Sequence, residues 1–327
     1  MGKSRAHYVP RFVLRRFSSG SQDTVHVYDK SEGRSFVAST GKVAAEKGLY
    51  DFEFEGAELT LEPGLAEIEG AAAKNFERIL RDGYLSASSS TEREELASFF
   101  AVQLVRTPAH AAQWRDVMTR METYVRREGI SESFFAFDPR LGSEANAQRA
   151  FAARTLVQAP QTFGPSFTCK DFVLMESPGP PWYLIGDHPL VMHNSRDMGP
   201  RGNLGLNVEG IEIYFPLSPK LVLGMMCASH RLAFQQGLEQ RVTESQRNDP
   251  SLQQAFSIAR DFLQAVASGR PARMDPLNVV FLNSLQIIRA ERFVFSASGD
   301  FSLVEEMLRS HPELRTGVRI EEATGKL

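Results

Sequence analysis

In six positions of this 327-residue chain a polar side chain stands where the surrounding pattern gives it no obvious structural role. They are His7, Glu62, Glu69, Gln103, Arg106 and Asp187. Between them they hold the groups that acid–base chemistry needs. In the run 96–106, Leu96, Phe99 and Phe100 form one apolar helix face. At about 100° per residue, Gln103 falls between Leu96 and Phe99, and Arg106 lies one turn further on beside Phe99. A buried amide or guanidinium must find partners, because leaving one unpaired costs roughly 1–3 kcal/mol or more. Glu62 and Glu69 are seven apart, on one side of their own helix. Two such carboxylates can meet Arg106 across a helix pair, work as acid and base, or hold a divalent metal. They can equally form a solvated edge or an ordinary ion pair.

Asp187 stands in Gly186-Asp187-His188-Pro189, closing the apolar run Trp182–Ile185. Strand ends of this kind carry sites on loops held by a scaffold, and Asp before x-Pro also serves plain turn chemistry. Asp187, His188 and His193 are conceivable metal ligands in a spacing that matches no known zinc pattern. At the start of the chain, His7 is followed by Tyr8, Arg11 and Arg15, interleaved with Phe12 and Phe17. Arginines among aromatics suit phosphates and stacked bases, which makes Tyr8, Arg11 and Arg15 candidate contacts to an anionic ligand or nucleic acid. Val9, Phe12, Val13 and Phe17 also recur at spacings of three and four, the pattern of a docked segment with its Arg side chains outward.

The elements that must position these groups follow from periodicity and punctuation. Val25–Phe36 reads as two short strands around Ser-Glu-Gly. Leu61–Leu80 carries one apolar stripe, with Gly83 as its stop. Thr91-x-x-Glu94 suggests a capping box for a helix running toward Arg106, which Pro108 breaks. His110–Arg127 is a further helix with Trp114, Val117, Met118, Met121 and Val125 on one face, and 143–157 is an Ala-rich helix. Beyond Pro160 the character changes to short strands: Phe172–Met175, Trp182–Ile185, Ile211–Phe215 and Leu221–Met226. Helix returns over 250–267 and 278–288, then a strand at 292–296 and a short helix at 301–308. Helices and strands are segregated rather than alternating, so the expectation is an α+β fold. A helical layer over 61–127 packs on a mostly antiparallel sheet drawn from 172–226 and 292–296, in one domain that includes residues 1–20.

Composition bounds the function classes. The chain is 42% hydrophobic and 24% charged with a net charge of −3, ordinary for a soluble globular protein. A general nucleic-acid coat or membrane-surface protein is usually basic, so only a local basic patch is open to such partners. The two cysteines, Cys169 and Cys227, lie in apolar surroundings, which suggests buried thiols in a reducing cytoplasm. No secretory signal or membrane-length apolar run is present, so the expected location is cytoplasmic. Nucleotide-binding glycine fingerprints, H-E-x-x-H and G-x-S-x-G are all missing.

Several short motifs, taken in order, resemble a known family. H-Y-V-P-R-F-V-L-R-R-F (7–17) is similar to the H-H-Y-V-P-x-x-x-L-x-x-F opening of a bacterial domain-of-unknown-function family numbered 4238. The likeness continues through V-Y-D-K-S-E-G (27–33), A-A-E-K-G-L-Y (44–50), L-E-P-G-L-A-E-I-E (61–69), Q-L-V-R-T-P (103–108), G-D-H-P (186–189) and L-N-S-L-Q (282–286). Ala6 stands where the family has a first His, and His188 where Asn is common. The resemblance implies an intact single domain and draws attention to these positions, but it implies no reaction.

Two functional expectations follow. In the first, the chain is a hydrolase acting on a phosphate ester or nucleic acid. His7 or a carboxylate serves as acid or base, Arg106 stabilises negative charge, and no cofactor is required beyond an optional divalent metal. In the second, the same residues form a buried network in a non-catalytic binding or regulatory module.

Overall fold

The computed structural model describes residues 5–18, 23–86, 89–129, 144–197, 202–239 and 249–319. In chain order the strands are β1 (Arg5–His7), β2 (Thr24–Asp29), β3 (Arg34–Ser39), β4 (Ala45–Lys47), β5 (Asp51–Phe54), β6 (Ala57–Thr60), β7 (Asp171–Glu176), β8 (Ile185–Gly186), β9 (Val191–His193), β10 (Glu212–Ser218), β11 (Leu221–Met226), β12 (Ala272–Arg273) and β13 (Phe293–Ser296). The helices are α1 (Arg11–Arg15), α2 (Glu62–Asp82), α3 (Ser90–Val105), α4 (Pro108–Arg127), α5 (Glu144–Thr168), α6 (Ala228–Glu239), α7 (Pro250–Ser268), α8 (Pro276–Arg289) and α9 (Ser302–Ser310). The fold is α+β, with mostly antiparallel sheets.

A five-stranded sheet in the order β12-β7-β11-β10-β9 forms the centre. Its central strands β7, β10 and β11 are buried on both faces, as their near-continuous apolar sequences require. One face presents Phe172, Leu174, Phe215 and Leu223 to α2, α3 and α5. Phe76, Phe99, Phe100 and Phe215 meet there in edge-on and tilted ring contacts with centroids 5.2–6.4 Å apart. The other face presents Val173, Met175, Tyr214 and Val222 to α7 and α8.

The strand at 293–296 does not join this sheet. β13 pairs with β2, far away in sequence, and with β8, giving a second sheet in the order β3-β2-β13-β8. The single sheet expected from 172–226 and 292–296 is therefore two sheets. Local pattern reports that a segment is a strand, but its partner is chosen by the tertiary fold.

Three helices also differ from expectation. α3 is capped by Ser89, whose hydroxyl accepts from the Glu92 amide, two residues earlier than the Thr91–Glu94 box. α5 runs straight through Pro160 and Pro165. Each interior Pro removes a backbone bond at a cost of about 3 kcal/mol. Packing against α3 holds the helix together: Leu156, Ala159 and Phe167 are buried, and the Phe167 ring meets Phe100. α4 is peripheral to the helical layer, with only Ala109 and Ala112 buried, and Trp114 stacks on Phe151 of α5 near the surface. Cys169 is exposed and Cys227 half-buried, so neither is a core thiol.

The N-terminal segment is docked. β1 pairs antiparallel with β4, and Val9, Val13, Leu14 and Phe17 are fully buried. Segment 182–189 is positioned by α8 through two amide side chains. Asn283 accepts from the Leu184 amide at 2.8 Å and donates to the Trp182 carbonyl at 2.9 Å. Gln286 accepts from the Gly186 amide at 2.8 Å and donates to the Pro189 carbonyl at 2.9 Å. A Cβ on Gly186 would stand 2.9 Å from the Gln286 carbonyl oxygen, so only glycine permits this approach. Asn283→Ala leaves one buried amide and one carbonyl unpaired. The expected loss is about 1–3 kcal/mol of unfolding free energy in urea titration, and no change in midpoint would show that the clamp is dispensable.

Candidate functional site

Five of the six polar residues singled out above come together around Arg106. The guanidinium closes α3, and its side chain is only 2% exposed. Its Nε donates to the Tyr50 hydroxyl at 3.0 Å, one terminal nitrogen to Glu69 Oε1 at 2.7 Å, and the other to the His7 carbonyl at 2.5 Å. The Tyr50 hydroxyl donates in turn to the same His7 carbonyl at 2.9 Å. One helical turn back, the fully buried Gln103 donates its amide nitrogen to the Tyr8 carbonyl at 2.9 Å. The Q-x-x-R spacing thus places two donors on one helix face, where they bind two consecutive carbonyls of the opening segment.

Not every polar atom here is paired. Glu62 Oε1 and Gln103 Oε1 are buried without a hydrogen-bond partner among the described residues. Burial pushes the Glu62 carboxyl upward, and the neighbouring Glu69 and Asp51 carboxylates push the same way against Arg106. His7 Nε2 lies 3.1 Å from the Thr40 carbonyl. A carbonyl only accepts, so Nε2 carries the ring proton and Nδ1 keeps its lone pair. Burial lowers the His7 pKa and holds the imidazole neutral. Glu69 lies beside both groups, raising each.

Asp187 does not join this cluster. Its carboxylate is 1% exposed and accepts from three successive amides: Glu291 at 2.6 Å, Arg292 at 2.9 Å and Phe293 at 2.9 Å. Burial pushes it up to about 6 against those three bonds and the nearby Lys30. Lys30, itself fully buried, donates to the carbonyls of Ile287 and Ala290 at 2.7 and 2.6 Å, capping the end of α8. Asp187 and Lys30 therefore lock the turn between α8 and β13, and neither is open to a substrate. Tyr8 is buried, with a phenol raised by desolvation and by Asp187. Arg11 and Arg15 are both claimed by Asp23, at 2.5 and 3.2 Å. They are surface ion pairs, not free anion contacts.

The metal-ligand reading of Asp187, His188 and His193 meets a similar end. His193 Nδ1 is 3.0 Å from Glu212, and His188 Nδ1 is 2.6 Å from the Thr107 hydroxyl. Among the described residues, no group of three His, Cys, Asp or Glu side chains is placed to hold a metal ion. Burial pushes His188 down to about 3, with His110 and Arg289 adding positive charge nearby.

The family profile described as a protein of unknown function (DUF4238) matches residues 5–300. The chain belongs to the DUF4238 family. No curated protein and no solved structure matches it. The DUF4238 motifs now have physical roles. Q-L-V-R-T-P ties down H-Y-V-P through Gln103 and Arg106, and reaches the G-D-H-P loop through Thr107. A-A-E-K-G-L-Y supplies Tyr50, V-Y-D-K supplies Lys30, and L-N-S-L-Q supplies the Asn283 and Gln286 clamp. Sequence reasoning assigned no chemistry to Tyr50, Thr107, Asn283 or Gln286. The available signal was their place inside motifs, with polar groups next to apolar positions.

Arg106→Leu removes the partner of the Glu69 carboxylate and of the His7 carbonyl. It is expected to cost roughly 3–5 kcal/mol in urea unfolding, as for other broken buried pairs, and a loss below 1 kcal/mol would show that the cluster is not a structural centre. His188 gives a pH signature. Its folded pKa lies below the ordinary 6.5, so the unfolded chain binds more protons and stability falls as pH drops from 6.5 toward 3. His188→Asn is expected to flatten that acid decline. Equal slopes for both proteins between pH 6.5 and 4 would contradict a neutral His188.

Proposed function

We propose that this DUF4238 protein is a hydrolase that works by general acid–base catalysis at the Glu62–His7 edge of the Arg106 cluster. One observation carries the reading. A carboxyl with a buried, unpartnered oxygen and a neutral imidazole with a free Nδ1 flank the same ion-paired carboxylate, Glu69. Groups whose environments push their titrations in opposite directions are the usual makings of an acid and a base. Protonated Glu62 gives a proton to the leaving group, and His7 Nδ1 takes one from the attacking water. Glu69, ion-paired with Arg106, favours protonation at both neighbours. Arg106, Gln103 and Tyr50 are positioning residues, since their polar contacts go to the chain itself.

The favoured substrate class is a phosphate ester or nucleic acid, on a cytoplasmic enzyme, with a divalent metal as an assay variable. Each nitrogen of Arg106 already donates within the protein and the side chain is 2% exposed, so the negative charge of such a substrate is met by groups outside this cluster.

A second reading has its own observation. One nitrogen of Arg106 and the Gln103 amide donate to the backbone of residues 7 and 8, as a purely structural clasp in a binding module would.

Turnover separates the two. Purified protein is incubated with a phosphomonoester, a phosphodiester, RNA and DNA, with and without Mg²⁺ or Mn²⁺, beside Glu62→Gln and His7→Gln. The hydrolase reading expects a loss of about 10²–10⁴-fold in kcat for each variant, the usual worth of a general acid or base. It also expects a rate peaking at mildly acidic pH. The base form of His7 persists below its ordinary 6.5, and the acid form of Glu62 persists above its ordinary 4.5. Equal turnover by wild type and both variants, with both folded, would leave the binding-module reading standing.

A further inference from the structure

The segment after α2, the first turns of α3, the start of β7 and the end of α7 enclose an open cleft of about 110 Å³. Its shape has a local cause. Gly269 ends α7 in the left-handed region, with φ at 69°, and its carbonyl accepts from the Leu85 amide at 2.8 Å. A Cβ on Gly269 would stand 2.2 Å from the Leu85 carbonyl oxygen, so only glycine lets these two segments close one side of the cleft. Leu85, Leu96, Phe172 and Val266 line it with apolar surface. Glu92, Arg93 and Asp171 share the same lining.

Arg93 is the side chain that gives this cleft its chemistry. Its guanidinium lies over the Phe172 ring, 4.4 Å from the centroid. One terminal nitrogen, Nη1, donates to the Lys170 and Thr168 carbonyls at 2.7 and 3.4 Å. The ring and the main chain therefore hold the head in place, but no carboxylate pairs with it among the described residues. The two carboxylates of the cleft are paired elsewhere, Glu92 with Arg78 at 2.5 Å and Asp171 with Arg231 at 2.9 Å. Arg93 Nε and Nη2 have no acceptor among the described residues, and neither is sealed from solvent. These two nitrogens form the side-on edge of the guanidinium fork, which grips a carboxylate with two parallel bonds. On the acceptor side, Glu92 Oε2 and Asp171 Oδ1 are likewise open and take no bond among the described residues.

One ligand chemistry answers all of these groups. A carboxylate meets the open edge of Arg93, an ammonium meets the open oxygens of Glu92 and Asp171, and an aliphatic side chain meets Leu85, Leu96 and Val266. A phosphate suits the guanidinium but brings its extra negative charge against two carboxylates, and a bare amine leaves Arg93 without an anion. The volume is smaller than the roughly 150 Å³ of an apolar cavity that holds benzene, which limits the side chain to a small aliphatic one. We propose that this cleft binds a free α-amino acid with a side chain of valine or leucine size. Binding here requires no turnover at Glu62 and His7, so the site and the hydrolase can fail separately.

The full chain is titrated calorimetrically near neutral pH with L-leucine and L-valine. Two truncated probes run beside them: isocaproate, which lacks the amine of leucine, and isoamylamine, which lacks its carboxylate. Saturable binding of at least one amino acid is expected, with both truncated probes at least tenfold weaker. Arg93→Gln is expected to weaken the amino acid at least tenfold. Val266→Phe fills the apolar wall while leaving every charged group in place, and is expected to weaken it to the same degree. Melting without ligand shows which variants are folded. Should Arg93→Gln fail to fold, the truncated probes and Val266→Phe decide. Absence of wild-type binding at millimolar amino acid, equal affinity for the amino acid and either truncated probe, or wild-type affinity in a folded variant would each overturn the proposal.

Discussion

A buried guanidinium needs a partner at each nitrogen, and Arg106 shows how much of a fold that demand can organise. Its three nitrogens reach a carboxylate on α2, a phenol at the end of the β4–β5 connection and a carbonyl of β1. Each partner comes from a separate stretch of chain, so none can shift without leaving a charge uncompensated in a medium where that costs several kcal/mol. Directionality is what apolar packing lacks. Phe76, Phe99 and Phe215 supply most of the favourable burial near α3, but an aromatic cluster tolerates small rotations. The Arg106 bonds do not, and they fix the register of the N-terminal segment against the helical layer.

The same device recurs along the chain. Asp187 gathers three amides at the α8–β13 turn, Lys30 closes the last carbonyls of α8, and Asn283 with Gln286 holds the 182–189 segment. Each is a buried polar side chain matched to main-chain groups that regular structure leaves open. The segments held this way, 5–10 and 182–190, have little regular secondary structure of their own. They are the ones that carry His7 and His188. Polar clamps take the place of helix or sheet ladders in fixing these segments.

Charge is distributed unevenly about the corner between α3 and α4. On one side, Glu62 and Glu69 outnumber Arg106, and the excess of carboxylate favours protonated groups. On the other, His188 is bonded to the Thr107 hydroxyl, with His110 and Arg289 as positive neighbours. Arg106 and Thr107 are neighbours in sequence and bond to different partners, so two adjacent residues of one motif separate an acidic environment from a basic one.

The sequence by itself determined the class of fold, the helices whose apolar stripe is unbroken, the strands at 172–175, 211–215 and 221–226, and the anomaly of Gln103 and Arg106 on an apolar face. These are legible because period and burial are local properties of a run of residues. Even the possible meeting of Glu69 with Arg106 followed from helix geometry. Only the tertiary structure decided that β13 pairs with β2, that α5 survives two prolines, that Asp187 is sealed by backbone amides, and that Asp23 occupies Arg11 and Arg15. Each depends on a partner distant in sequence or on packing that outweighs a local preference. A side chain's type states what it can bond. Whether that capacity is spent inside the protein is settled by which other segment arrives beside it, as Arg106 shows.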